Sequence, residues 1–240
     1  YKRQKKWYAD QGITKSIPFR GPIAANTVAG TISGWGAAHA LSKKGFGGKL
    51  PLSRLLEDAI HYAEAGVPVT FSQSSLTEKK RPELSSIPGF AETFLVNGKS
   101  PEVGSIFKQG RLAATLRQIA KKGTDDYYRG ELAELLAKEL TAIGSPLRLA
   151  DLQRHQAKLI DPLELKHSLG NVYNMTPPTQ GVVSLMILGI LDQLNLKRFD
   201  VDSAEYVHHC VEATKQAFKV RDQHVTDPAY MAHHAQHFLT

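Results

Sequence analysis

The stretch from Asn171 to Leu191 constrains the fold most strongly, because it contains no charged residue. Residues 172–175 are typical of a short strand, and a proline-containing turn follows at residues 176–181. The next residues are apolar almost without interruption: Val182, Val183, Leu185, Met186, Ile187, Leu188, Ile190, Leu191 and Leu194. A helix that is apolar on nearly every side is enclosed by other groups. Spanning a membrane takes roughly 20 apolar residues. This helix is shorter, so we predict a buried core helix.

The composition is that of an ordinary soluble protein with a sizeable core. Of the 240 residues, 42% are hydrophobic and 22% are charged, and this length suits one large domain or two small ones. A formal net charge of +7 raises the question of nucleic-acid binding. The basic residues are scattered in short clusters: Lys2, Arg3, Lys5 and Lys6; Lys43 and Lys44; Lys79, Lys80 and Arg81; Lys121 and Lys122. Because no basic helix is interleaved with aromatic residues, we expect no nucleic-acid partner.

Cysteine usage and the first residues say little about the compartment. Cys210 is the single cysteine, so no disulfide can form within the chain, and its helical pattern is typical of a small buried hydrophobe. The segment from Tyr1 to Lys6 lacks the apolar region of a signal peptide, and there is no initiator methionine. We therefore expect a piece of a longer protein. For its compartment we expect the cytoplasm or the periplasm, and the absence of a signal-peptide pattern favours the cytoplasm.

The first hundred residues are predicted to be mainly helical. Residues 1–11 favour a short helix that Gly12 stops. Residues 28–44 favour a second helix, whose glycines cost roughly 1 kcal/mol each unless tight backbone packing offsets them. A third begins at Leu50-Pro51 and ends at Gly66. Its predicted buried stripe consists of Leu52, Leu55, Leu56, Ala59, Ile60 and Ala63. Prolines and an Asn-Gly pair punctuate residues 67–100, so short helices and turns are expected there.

Two amphipathic helices follow, each with a glycine where a helix C-terminus belongs. The first carries Leu112, Leu116, Ile119 and Ala120 before Gly123, and the second carries Leu132, Leu135, Leu136, Leu140 and Ile143 before Gly144. Residues 149–156 favour a short helix, and residues 157–162 and 163–169 favour strands.

The last clear helix is predicted to begin at Asp202, with Glu205 completing a capping box. Its buried face is predicted to be wide and to include two neighbouring stripes. They consist of Tyr206, Cys210, Ala213 and Ala217, and of Val207, Val211 and Phe218. Asp227-Pro228 is expected to end or kink this helix.

Several groups of residues could carry chemistry, but each has a simpler structural interpretation. Gly30 to Gly36 lacks the spacing of a phosphate-binding loop. Asp125-Asp126 could be a metal pair, yet the solvated first turn of a helix is favoured. His233, His234 and His237 lack the glutamate of a His-Glu-x-x-His zinc motif and favour an exposed cluster. His208 and Glu212 share a helix face and favour a surface ion pair.

Four segments, in order along the chain, resemble the gamma-glutamyltransferase family of N-terminal nucleophile hydrolases. Residues 26–35 resemble its Val-Pro-Gly-x-Val-x-Gly helix start. Residues 50–69 are similar to its Leu-Pro-Trp-x-x-Leu-Leu helix and the Gly-x-Pro-Val that ends it. Residues 112–130 are similar to its Leu-Ala-x-Thr-Leu to Phe-Tyr-x-Gly run. Residues 175–181 resemble its Met-Pro-Pro-Pro-Ser-Ser-Gly turn, and the helix after it is matched by Ser203 to Tyr206.

The resemblance covers nearly all of the chain, and the ordered set is more specific than any single motif. Ala29 stands where the family has proline, and Thr179-Gln180 stands where it has Ser-Ser. These departures indicate a divergent branch. The resemblance implies an α+β fold in which residues 1–240 form part of the helix-rich large subunit of a four-layer αββα sandwich.

In the family, a precursor cuts itself and the new N-terminal threonine of the small subunit becomes the nucleophile, with its own amine as base. No family motif surrounds Thr240, so it is not assigned this role. The resemblance therefore implies no catalytic, cofactor-binding or metal-binding residue within residues 1–240, and no cofactor. It implies a heterodimer with a small subunit cut from the same precursor, which could assemble into a higher oligomer, and a gamma-glutamyl substrate such as glutathione.

The function implied for the parent protein is cleavage of gamma-glutamyl amides through a glutamyl-enzyme ester, by transfer or by hydrolysis. A related acylase acting on another amide is the alternative among enzymes, as in cephalosporin acylases. A catalytically inactive structural or binding domain on the same scaffold is the alternative outside them. A processed N-terminal threonine downstream would favour the enzymes.

Overall fold

A computed structural model describes residues 2–239, which divide after Leu159 into two compact units. The helices of the first unit are α1 (Lys2–Asp10), α2 (Thr31–Gly45), α3 (Leu52–Ala65), α4 (Phe71–Leu84), α5 (Phe90–Phe94), α6 (Gly110–Lys122), α7 (Asp126–Arg129), α8 (Glu131–Ala142) and α9 (Leu149–Arg154). Its strands β1 (Val67–Pro68) and β2 (Ile106–Phe107) pair antiparallel. Tyr1 and Thr240, which figured in the sequence predictions, lie outside the described residues.

The core of the first unit forms where α3 packs against α6 and the start of α8. Leu56, Leu116, Ile119 and Leu132 form its buried cluster. Gly66 ends α3 as predicted, and its φ of +92° is a conformation that glycine adopts without strain. A side chain there would also meet the carbonyl oxygen of Phe107 at 3.0 Å. Glycine at this position therefore lets α3 turn directly into the β1–β2 pair.

The buried faces of these helices are narrower than the sequence pattern predicted. Leu55 of α3 is 50% exposed, and Ala59 is exposed as well. Leu112, Leu135 and Ile143 were also predicted to lie on buried faces, and they are exposed too. Each of the helices α3, α6 and α8 packs along one stripe, so apolar residues beside that stripe are left uncovered within residues 2–239. The predicted glycine stops at Gly123 and Gly144 do follow α6 and α8.

Two boundaries in the first unit also differ from the prediction. The second helix begins at Thr31, three residues later than expected. Residues 67–100 contain a helix of 14 residues, α4, in place of short pieces alone. The hydroxyl of Thr70 accepts a hydrogen bond from the Gln73 amide at 3.1 Å and caps this helix. Pro82 lies in its last turn, where a proline removes only one hydrogen bond near the helix end.

The second unit combines a β-hairpin with two long helices. Strands β3 (Leu163–His167) and β4 (Gly170–Asn174) pair antiparallel, with Leu165 opposite Val172. Helices α10 (Gly181–Gln193) and α11 (Ala204–His224) follow. Short 3-10 turns lie at Leu196–Arg198, Pro228–Tyr230 and Ala235–Leu239. The buried cluster contains Leu163, Leu165, Val182, Val183, Leu185, Met186, Ala217 and Ala235. The many helices and the two antiparallel strand pairs together make this a helix-rich α+β chain.

The apolar helix predicted from the charge-free stretch is α10, and its first half is buried as expected. Val182 and Leu185 are inaccessible to solvent, whereas Leu188 is 38% exposed and the rest of the second half is only partly covered. Among residues 2–239, no helix combines the length and the hydropathy needed to cross a membrane.

Three predictions for the second unit and its boundary were wrong. Residues 157–162 form no strand, and the amide of Ala157 is bonded to the Ser33 hydroxyl at 2.7 Å instead of to a neighbouring strand. The cap of α11 is Ser203, which accepts from the Tyr206 amide, in place of Asp202. The wide buried face of α11 shrinks to Ala213 and Ala217; Cys210 is half-buried, and Val207, Val211 and Phe218 are exposed.

Candidate functional site

In the first unit, two of the three segments with family-like motifs, residues 26–35 and 112–130, are joined by the side chain of Tyr128. This residue of α7 is 1% exposed. Its hydroxyl donates to the carbonyl oxygen of Ala29 at 2.7 Å and accepts from the amide of Ser33 at 3.0 Å. Burial raises the pKa of the Tyr128 hydroxyl, so it stays protonated and able to donate at neutral pH. We call this arrangement, Ala29–Tyr128–Ser33, the tyrosine latch.

The groups around the tyrosine latch are engaged mainly with one another. The His155 ring stacks on Tyr128 with ring centres 5.1 Å apart. Arg129 donates to the His155 carbonyl oxygen at 2.8 Å and pairs with Asp125. A cavity of about 480 Å³ beside them is lined by Ser33, Thr124 and Gln156 as well. Since its charged groups are already paired, we assign this region a structural role.

The glycines of α2 are partly explained by the same packing. A side chain on Gly30 would lie 3.2 Å from Nε2 of His155, and one on Gly36 would overlap the Thr124 side chain. Gly34 has open space around it. The predicted tight packing is therefore confirmed at two of these three positions.

The aspartate pair of this region is confirmed as the start of a helix. Asp126 lies in the first turn of α7, where it accepts hydrogen bonds from the Gln118 side chain and the Glu131 amide. Asp125 stands at the N-cap position. Across residues 2–239, no group of three or more histidine, cysteine or acidic side chains is placed to hold a metal ion.

In the second unit, the turn between β4 and α10 brings the chain very close to itself. The peptide bond between Pro177 and Pro178 is cis. The Thr179 hydroxyl donates to the Thr176 carbonyl oxygen at 3.0 Å and accepts from the Gly181 amide at 3.2 Å. Thr179 thus provides a hydroxyl where the family turn has serine. Gly181 is buried against the Met175 backbone, with no room for a side chain.

A polar cavity of about 470 Å³ lies beside this turn and is a candidate binding site. Its lining includes Gln180, Arg221, Asp222, Thr226 and Asp227. The Arg221 guanidinium lies 3.8 Å from the centre of the Phe218 ring and donates through Nε to Asp222 at 2.7 Å. The mixed charges suit a small polar molecule. The lining contains no histidine, cysteine or lysine that could activate a nucleophile.

Ser168, His167 and Asp192 approach the composition of a catalytic triad, but their geometry is different. Asp192 accepts from the Ser168 hydroxyl at 2.5 Å and from the Ser168 amide at 2.8 Å. The Leu169 amide donates to Nδ1 of His167 at 3.1 Å, so the ring proton resides on Nε2, which faces Asp192 at 3.4 Å. No ring nitrogen is left to take a proton from Ser168. The bonds from Ser168 to Asp192 instead hold the loop between β3 and β4 against α10.

The histidine predictions have mixed outcomes. His233 and His237 stack with ring centres 5.2 Å apart, and both are exposed, as is His234. The direct partner of Glu212 is Lys215, which donates to it at 2.6 Å. This bond first, and the charge of His208 to a smaller extent, lower the pKa of Glu212, so the predicted attraction is present without direct contact.

The sequence assigned no catalytic, cofactor-binding or metal-binding residue, and the described geometry does not test that prediction. Sequence reasoning missed Arg221 and Asp192. Asp192 is the first charge after the charge-free stretch, and this was the one available signal.

The chain is similar to known proteins in family, in sequence and in structure. The family model for gamma-glutamyltranspeptidase matches residues 2–240. An oxamate amidohydrolase proenzyme from Klebsiella pneumoniae is 52% identical over 97% of this chain and 43% of its own length. The glutathione hydrolase-like YwrD proenzyme from Bacillus subtilis is 36% identical over 90% of this chain and 40% of its own length.

Solved structures agree with the sequence comparisons. A cephalosporin acylase from Bacillus halodurans has a TM-score of 0.85 at 28% identity, covering 98% of this chain and 44% of that one. A gamma-glutamyltranspeptidase from Helicobacter pylori has the same TM-score at 25% identity, covering 94% and 64%. The chain spans about two fifths of the curated relatives named above. The family model matches nearly every residue, and the chain is 52% identical to the oxamate amidohydrolase proenzyme; together these show that the chain belongs to the gamma-glutamyltranspeptidase family.

Proposed function

We propose that the protein containing these 240 residues is an amide hydrolase, and that its preferred substrate is oxamate or a similarly short amide bearing a carboxylate. The observation that carries this proposal is the 52% identity to an oxamate amidohydrolase proenzyme over 97% of the chain. The relative named as glutathione hydrolase-like is 36% identical. Substrate preference therefore follows the more similar relative.

The reaction proposed is the addition of water to oxamate, which gives oxalate and ammonia. A threonine hydroxyl attacks the amide carbonyl, and the threonine's own amine takes the hydroxyl proton. That proton is passed to the departing nitrogen, which leaves as ammonia. Water then cleaves the oxalyl ester and restores the threonine. We place this threonine outside residues 1–240, at an N-terminus exposed when a proenzyme is cut, as the relatives' names suggest.

The described residues are proposed to supply the frame for that site. In this arrangement the β3–β4 hairpin joins a larger sheet of a four-layer αββα sandwich, with α10 and α11 covering it. The second chain cut from the same precursor supplies the remaining strands and the nucleophile. The open strand edges of the hairpin, which is two-stranded within residues 2–239, support this role because unpaired edges need partners.

Gamma-glutamyl amides such as glutathione are the second candidate substrates. The family model and several relatives named glutathione hydrolase favour them, including one from Pseudomonas aeruginosa at 30% identity over 92% of this chain. A wider acylase activity is supported by the acylase ACY 1 proenzyme of a Pseudomonas strain, 32% identical over 86% of this chain.

The test uses the full-length gene product. Mass analysis should show two chains, the second beginning with threonine. Purified protein should release ammonia from oxamate faster than it releases p-nitroaniline from gamma-glutamyl-p-nitroanilide. Replacing the new N-terminal threonine with alanine should abolish both activities. A preference for the anilide would move the assignment to gamma-glutamyl amides. An uncut, inactive protein would favour a binding domain on the same scaffold.

A further inference from the structure

A cavity of about 600 Å³ lies in the second unit, between α10, α11, β3 and the turn at Ala235–Leu239. Its walls are mainly hydrocarbon, and they include Leu185, Met186, Ile190, Val220 and Phe238. This cavity is separate from the polar cavity beside the Pro177-Pro178 turn, because the two share no lining residue. A volume between roughly 300 and 1,000 Å³ with apolar walls is typical of small-molecule binding sites.

One wall of the cavity is kept free of side chains by Gly189. A side chain at this position of α10 would lie 3.2 Å from Cδ1 of Leu165 on β3. The close approach of helix and strand therefore explains a glycine in the helix interior. The same glycine leaves space between Met186 and Ile190 that a larger residue would have filled.

The lining of the cavity contains more positive than negative charge. Lys166 and Lys219 line it, and Asp192 is the acidic lining residue. Asp192 already accepts two hydrogen bonds from Ser168. The Lys219 ammonium donates to the Gln216 side chain at 3.4 Å, a long contact. Neither lysine forms an ion pair within residues 2–239; the Lys219 ammonium attracts the Glu212 carboxylate only without direct contact, as one of the smaller causes that lower the pKa of Glu212. Both ammonium groups can therefore bind an anionic group.

We propose that this cavity binds a carboxylic acid with an apolar body, whose hydrocarbon part fills the cavity and whose carboxylate lies between Lys166 and Lys219. Lysine suits this position because its apolar stem packs along the wall while its ammonium group reaches the mouth. This site goes beyond the amide hydrolysis proposed above and does not depend on it. Affinity should rise about threefold to fourfold with each methylene added, until the cavity is full.

The binding test uses calorimetry on the full-length protein with three probes: decanoate, butyrate and decylamine. We expect decanoate to bind with one-to-one stoichiometry and butyrate to bind at least tenfold more weakly. Decylamine should show no comparable binding, because its ammonium group would face two lysines.

Matched variants separate the cavity from general surface effects. Ile190→Trp fills the cavity and should weaken decanoate binding at least tenfold. Leu188→Trp adds the same bulk to an exposed position of the same helix and should leave binding unchanged. The double variant Lys166→Gln and Lys219→Gln should weaken decanoate binding. Lys215→Gln, whose ammonium group donates to Glu212, should not. Thermal midpoints near that of the wild type would show that each variant is folded.

Three results would overturn the proposal. One is the absence of decanoate binding by the folded full-length protein at millimolar concentration, which would indicate that the protein's own polypeptide fills the cavity. Another is equal binding of decanoate and decylamine, which would remove the role of the lysines. The third is unchanged decanoate affinity in the folded Ile190→Trp protein, which would place the acid elsewhere.

Discussion

Gly181 lies so close to Met175 that the first carbon of any side chain on Gly181 would overlap the carbonyl oxygen of Met175. Asn174 Oδ1 and the Met175 amide nitrogen would each be 2.9 Å from the same carbon. The two Met175 atoms belong to the backbone, so rotation of the Asn174 side chain cannot relieve the overlap. This contact turns the chain from β4 into α10, whose first half fills the core of the second unit.

Gly181→Val in the full-length protein should therefore be strongly destabilising. Overpacking a core costs about 1–3 kcal/mol, and a clash with fixed backbone belongs at the upper end. Urea unfolding gives the free energy. Gly34→Ala is the control, because Gly34 has nothing within 4 Å of the new carbon and should gain stability from better helix propensity. An unfolding midpoint for Gly181→Val equal to that of the wild type would contradict the close-approach argument.

Tyr128→Phe should cost about 1 kcal/mol, since it removes the partly buried hydrogen bonds to the Ala29 carbonyl oxygen and the Ser33 amide. Tyr127→Phe is the matched control. The Tyr127 hydroxyl has no hydrogen-bond partner within residues 2–239, although its ring lies next to that of Tyr128. Removing this hydroxyl should therefore alter stability little. Denaturant unfolding of both variants compares them directly. Equal losses would show that the tyrosine latch adds nothing beyond ring packing.

Asp192→Asn should show a pH-dependent loss of stability. Hydrogen bonds from the Ser168 hydroxyl and from the Ser168 amide hold the pKa of Asp192 below its ordinary value of 3.8. A carboxyl whose pKa is lower in the folded state contributes stability above its unfolded pKa and loses it as pH falls through the folded pKa. The thermal-midpoint difference between wild type and Asp192→Asn should be constant near neutral pH and shrink below about pH 4. A difference that stays the same in acid would refute this role of the Ser168 bonds.

His233→Ala combined with His237→Ala should leave the activity and metal content of the full-length protein unchanged. The two imidazoles stack on each other at an exposed site, and no metal-binding group of three side chains surrounds them within residues 2–239. Elemental analysis of wild type and double variant provides the measurement. Loss of a stoichiometric metal ion in the double variant would show that the cluster is a metal site.

The 240-residue chain produced alone should hydrolyse neither oxamate nor a gamma-glutamyl anilide, since the proposed nucleophile lies outside it. It should also self-associate, because Val207, Val211 and Phe218 expose an apolar face on α11. Sedimentation with and without the downstream chain measures the second effect. Turnover by this chain alone would refute the assigned roles, and a monomer with a cooperative melt would refute the argument from exposed surface.

The elements whose signals are local were predicted correctly from the sequence. The charge-free stretch gave α10, and Gly66, Gly123 and Gly144 marked the ends of α3, α6 and α8. Helix α4 was underestimated because Pro82 suggested a break, whereas a proline near a helix end leaves the preceding turns intact. A one-residue difference separates the predicted cap Asp202 from Ser203, since both residue types serve as caps.

Burial and site geometry depend on contacts that no local pattern specifies. Val207 and Val211 share a helix face with the periodicity of a core, but periodicity does not show whether another element covers that face. The bond between Ser168 and Asp192 requires the hairpin to fold back on a helix 24 residues further along. Arg221 lies beside the Pro177-Pro178 turn for the same kind of reason, because α11 returns along the chain to reach it.

The tyrosine latch also has a consequence for the order in which the chain folds. Ser33 and Tyr128 are 95 residues apart in sequence, so the latch closes a long loop, and contacts of this kind form slowly. Helix α2 has 15 residues, a length at which an isolated helix is marginally stable in water. During synthesis, α2 leaves the ribosome well before Tyr128 has been made. The first turn of α2 therefore cannot form its bond to the Tyr128 hydroxyl until Tyr128 has been made. We expect this turn to be among the last parts of the first unit to become protected from hydrogen exchange.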